Sequence, residues 1–253
     1  MEALGLVLDN VEAGQLLLVW GVVIMAAVLR AFSGFGFGLA AVPVFALFMP
    51  PTQAVVLSTA LTLAISLLTF RTYWGGYPLQ KMLPMLALLV LGTGCGAALL
   101  SQISPGQFRL WVGLLVITAC IVLGLYRPRE HQPGVVLGGF TGLLSGLMNG
   151  AFAIPGPPVI IYAMATQTDG RRSRALLMTF FLFSSLLALF SYGIAGFITP
   201  VSPWLFLLAF PAMYMGDKLG YALFRRFGSA FYRRVALGML FALGVAITAR
   251  ALI

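Results

Sequence analysis

The chain is a succession of apolar runs, and two of them are interrupted in the same way. Ser33-Gly34-Phe35-Gly36-Phe37-Gly38-Leu39-Ala40-Ala41-Val42-Pro43 and Ser145-Gly146-Leu147-Met148-Asn149-Gly150-Ala151-Phe152-Ala153-Ile154-Pro155 share Ser, two Gly, Ala and Pro, each pair 112 residues apart (Ser33 to Ser145). Glycine loosens a helix, and proline removes an N–H donor and collides with the preceding turn. The runs themselves must cross lipid. With 61% hydrophobic and only 8% charged residues, the chain has too few charges to cover a water-soluble surface. The fold class expected is an all-α polytopic membrane protein. Matched Gly/Pro interruptions in its two halves point to a binding site of the kind transporters use.

A span needs about 20 apolar residues. The pattern predicts about eight membrane elements: 16–48, 53–70, 79–100, 108–126, 135–165, 174–197, 204–223 and 232–253. The first of each four contains a broken stretch. This gives a first repeat over 1–126, a polar connector over 127–134 and a second repeat over 135–253. The echo continues later in the chain, where Gly92-Thr93-Gly94-Cys95-Gly96 aligns with Gly216-Asp217-Lys218-Leu219-Gly220, 124 residues on (Gly92 to Gly216).

The net charge of +9 sits mostly in short loops, which reads as membrane topology and not as nucleic-acid binding. If each broken element crosses once, loops 49–53, 101–109, 165–174 and 225–234 share one face, richer in arginine and therefore cytoplasmic. Both termini are then outside and the repeats run parallel. If a broken element dips in and returns, the count becomes odd and the repeats inverted; the sequence leaves both open. The acidic, base-free start (Glu2, Asp9, Glu12) is read as no cleaved leader. Tyr73-Trp74 is read as an interfacial anchor, and Cys95 and Cys120 as buried, inert thiols.

The chain has one histidine and six acids, three of them in the N-terminal tail. No catalytic set, metal site or cofactor is expected, and no Gly-x-x-x-x-Gly-Lys-Ser/Thr loop suggests direct ATP use. An enzyme is therefore not the reading. The breaks favour an anion: a helix that resumes inside the membrane presents unbonded N–H groups and the positive end of its dipole. The candidate binding residues are Arg30, Ser33, Gly34, Gly36, Gly38, Pro43, Ser145, Gly146, Asn149, Gly150, Pro155 and Gly156. The competing reading is that the glycines serve helix packing and the serines bond back to their own helices. Arg30, inside an apolar run, is either a substrate partner or a snorkelling side chain. Asp217 either carries a coupling proton or pairs with Lys218 or the arginines after it.

These residues resemble the TauE/SafE family of sulfite exporters. The resemblance rests on the two Gly-rich stretches ending in Pro, on Ile154-Pro155-Gly156-Pro157-Pro158-Val159-Ile160-Ile161-Tyr162 followed by Arg171-Arg172-Ser173-Arg174, and on Gly216-Asp217-Lys218-Leu219-Gly220. It covers essentially the whole chain. Phe35 and Phe37 between the glycines, and Asn149 in the second copy, depart from the family's consecutive glycines. The resemblance implies a secondary transporter in the cytoplasmic (inner) membrane, moving sulfite, thiosulfate or sulfonates. Its partners would be a small sulfur anion and membrane lipid, with proton coupling and a homodimer left open. An anion channel and a membrane scaffold or assembly subunit are the alternatives.

Overall fold

A computed structural model describes residues 13–33, 36–125, 134–167, 169–227 and 229–252, with the backbone alone described at 13, 32, 33, 224–227, 229–237, 251 and 252. The connector up to 133, the tail 1–12, and Gly34 and Phe35 therefore lie outside the described residues. Every element described is a helix: α1 (Ala13–Ser33), α2 (Phe37–Phe45), α3 (Pro51–Leu68), α4 (Phe70–Tyr73), α5 (Leu79–Leu100), α6 (Pro105–Leu125), α7 (Val135–Phe152), α8 (Gly156–Thr166), α9 (Gly170–Ile194), α10 (Ser202–Phe227) and α11 (Ser229–Leu252). Six of them (α1, α3, α5, α6, α7 and α9) are long and apolar enough to cross a membrane by length and composition.

Local chemistry sets the ends. Pro51 opens α3 at a position where its missing N–H costs nothing. At α6 the Ser104 N–H bonds Gln107 Oε1 at 3.0 Å, and the Gln107 N–H bonds Ser104 Oγ at 3.3 Å, a capping box with Pro105 at the first helical position. Asp169 caps α9 by accepting the Arg171 N–H at 2.9 Å. Large apolar side chains such as Leu17, Leu68, Leu91, Trp111, Phe140 and Phe190 remain on the outside, as expected where lipid is the solvent. Cys120 is buried, but Cys95 is exposed on this outer surface, contrary to the sequence reading.

Small residues set the packing. A Cβ on Gly142 would strike Met85, on Gly146 it would strike Leu89, and on Gly150 Thr93, so α7 runs parallel to α5 in near backbone contact. In the same way a Cβ on Gly216 would meet Ile24 and Ala27, and on Gly220 Val28 and Ala31, so α10 runs parallel to α1. Trp20 Nε1 reinforces that pair by donating to Leu208 O at 2.9 Å. α3 packs on α9, and α6 on α11.

These contacts fix which ends share a face. Gly76 lies against Ala175, joining the α3–α5 connection to the start of α9. Arg109 Nε donates to Ala46 O at 2.9 Å, joining the end of α2 to the start of α6 at the opposite face. Loops 46–50 and 101–109 therefore do not share a face with 165–174, and the grouping that follows from single crossings is corrected. The broken pairs turn back instead: Tyr162 of α8 returns to Gly138 near the start of α7, and α2 returns from the end of α1 to the face on which α1 began. The face carrying Arg71, Lys81, Arg171, Arg172, Arg174 and Lys218 is the basic one.

Candidate functional site

The two breaks are built differently. Gly36, at φ 95°, precedes α2 in a left-handed conformation that glycine adopts without a Cβ penalty. The second break places Ala153 at φ 54°. There the Ala153 N–H reaches Asn149 O at 2.8 Å and the Ile154 N–H reaches Met148 O at 3.3 Å, closing α7 as a glycine-type C-cap would. Pro155 then precedes α8 as its cap residue.

The breaks touch. A Cβ on Gly38 would collide with the Ala153 carbonyl oxygen, and one on Gly156 would lie 3.8 Å from Leu39 Cδ1 and 3.7 Å from Phe181 Cζ. Between them is a narrow cavity of about 20 Å³, room for one water-sized group. Its lining includes Arg30, Gly36, Gly38, Thr62, Pro155 and Phe181. The N-terminal ends of α2 and α8 both face this cavity, so two positive dipole ends converge on it. The donors are unequal. Phe37, Gly38 and Leu39 have no carbonyl of their own helix to bond, whereas in α8 Pro157 and Pro158 follow Gly156 and carry no N–H.

Arg30 supplies the full charge. It is 3% exposed; Nη1 lies 3.9 Å from Asp217 Oδ1, a loose ion pair, and Nη2 has no hydrogen-bond partner among the described residues. On its other side opens a cavity of about 720 Å³ lined by Arg30, Tyr73, Arg171, Arg174, Asp217 and Lys218 among others. Arg30 thus belongs to both spaces. Tyr73, read from sequence as an anchor, turns inward and donates to Ser66 O at 2.8 Å. Burial, partly offset by the charge of Arg30, pushes its hydroxyl up to about 12, which keeps it neutral. Lys218 is not the partner of Asp217; its Nζ lies 5.4 Å from the Tyr214 ring centroid, a cation–π contact.

The structure gathers some of the sequence candidates and disperses others. Arg30, Gly36, Gly38, Pro155 and Gly156 line the cavity. Gly146 and Gly150 lie inside α7 against the backbone of α5, in the packing role. Ser145 is also inside α7, its buried hydroxyl without a partner among the described residues. Asn149 turns its Nδ2 to Ser184 O at 2.8 Å, and its carbonyl accepts the Tyr192 hydroxyl at 2.8 Å. Pro43 is interior to α2 and not at its break. Ser33 ends α1 with its side chain outside the described set, as is Gly34. Thr62 and Phe181 were not singled out from sequence; each sits in an ordinary apolar run with no local signal.

Helices that break and meet around a buried guanidinium, inside a bundle with a lipid-facing apolar surface, are the build of a multi-pass membrane transporter. The TauE/SafE sulfite exporter family model matches residues 19–247. The chain belongs to that family. No curated protein and no solved structure matches it.

Proposed function

We propose that this chain is a secondary transporter that exports small sulfur-containing anions through the cytoplasmic membrane, with sulfite as the first substrate to test and thiosulfate and sulfonates as its chemical relatives. The observation that carries the reading is buried Arg30, whose Nη2 has no partner among the described residues, at the junction of two helix N-termini. A buried charge left short of partners is expensive, and one oxygen of an anion, which a water-sized cavity can take, would complete its hydrogen bonds. We read the chain as two inverted repeats, 1–126 and 135–253. Support comes from reciprocal packing: α10 on α1 and α5 on α7, each through paired glycines, with α3 on α9 and α6 on α11. The basic face is then cytoplasmic.

A negative interior drives anions outward by about 2.3 kcal/mol per charge at 100 mV, so export needs no coupling ion. Sulfite efflux from proteoliposomes is the test. Saturable flux, accelerated by a negative interior and reduced at least about tenfold in Arg30→Ala, is expected. Flux that does not saturate would indicate a channel. No flux, together with a tightly copurifying partner, would indicate a scaffold.

A further inference from the structure

We infer that Asp217 is an internal competitor of the transported anion: its charge balances Arg30 when the cavity is empty, and the anion competes with it for the same guanidinium. This rests on the anion site proposed above and adds how that site is loaded. Arg30 is shared between two spaces of very different size, the cavity of about 20 Å³ between the breaks and the basic cavity of about 720 Å³. Asp217 lines only the larger one. Its 3.9 Å separation from Nη1 is too long for a hydrogen bond, so the pair supplies charge balance without locking geometry. Arg171, Arg172, Arg174 and Lys218 line the same space. They collect anions from solution and would take up Asp217 once Arg30 is withdrawn. Two acceptors, one guanidinium and a basic waiting room make an exchange.

Asp217→Asn in nanodiscs, titrated with sulfite by calorimetry, tests the exchange. Removing the competitor is expected to tighten sulfite binding by about two- to fivefold, the range of a partly exposed ion pair. Asp217→Glu, which keeps the competitor, stays near wild type. Unchanged or weaker binding in Asp217→Asn, with wild type binding normally, overturns the exchange and leaves the anion site standing. A wild-type protein that binds no sulfite contradicts the site itself and this inference with it. Should Asp217→Asn fail to fold, infrared difference spectra of wild type decide the matter. The chain has only six acids, so a sulfite-induced shift of one carboxylate band, moved by Asp217→Glu, is expected. No carboxylate shift on sulfite binding contradicts the exchange.

Discussion

Arg30 and Ala153 show how single residues hold the site. Arg30 keeps a charge at 3% exposure with one amino group unpartnered among the described residues. Ala153 holds a left-handed backbone without being glycine, a conformation that costs an L-residue roughly 1–2 kcal/mol. Ala153→Gly should therefore raise stability by about 1 kcal/mol, read as a higher unfolding midpoint in detergent; a lower midpoint would mean the methyl contributes packing that outweighs the strain. Gly38→Ala should act the opposite way. Its Cβ would meet the Ala153 carbonyl oxygen, so the breaks are pushed apart and sulfite flux falls while membrane insertion persists. Full flux in that variant would place the substrate elsewhere. Arg30 was legible from sequence because a charge inside an apolar run is conspicuous. Thr62 and Phe181 were not, because a threonine or phenylalanine in a span looks the same whether it faces lipid, a neighbouring helix or a cavity.

Among the elements, the uninterrupted helices were the easiest to read. The expected 79–100 run coincides with α5, Leu79–Leu100, because its apolar pattern has a clear start and end. The breaks were found but misregistered. The sequence match pairs Ser33 with Ser145, whereas the cap residues of the resumed helices are Gly36 and Pro155, 119 residues apart. The same spacing relates Ala27 and Ala31, which receive Gly216 and Gly220, to Gly146 and Gly150, which receive Gly92 and Gly96. Gly146 and Gly150 stay helical and let α5 approach closely. In the register of the proposed repeats Arg30 and Asn149 correspond, each six residues before a cap residue. Asn149 spends its amide on α9, which leaves Arg30 as the charged half of the pair. Gly150→Val should then act on folding, since a side chain there meets Ala97 N and Gly96 C within 3 Å. Overpacking of this kind costs about 1–3 kcal/mol or more, and less monodisperse protein on size exclusion is expected. Normal yield and stability would return Gly150 to the binding residues.

At the scale of the whole molecule, the two broken pairs turn back on themselves, and the proposed inverted repeats follow from this. The alternation of loop charge could not reveal it, because counting faces requires knowing whether a broken helix crosses. The consequence is that 69–81 and 165–175 share a face. Lys81→Cys and Arg172→Cys should be labelled by an impermeant maleimide from the same side of oriented vesicles, and a tag after Ile253 should lie on the other. Labelling of the two cysteines from opposite sides would restore single crossings. Arg30 lines both the basic cavity and the inner cavity and so joins them. The most direct test of the central claim is equilibrium binding of sulfite to the purified protein. One site per chain is predicted, abolished in Arg30→Ala and weakened but retained in Arg30→Lys, which keeps the charge and loses the planar fork. Undiminished binding in Arg30→Ala would contradict it.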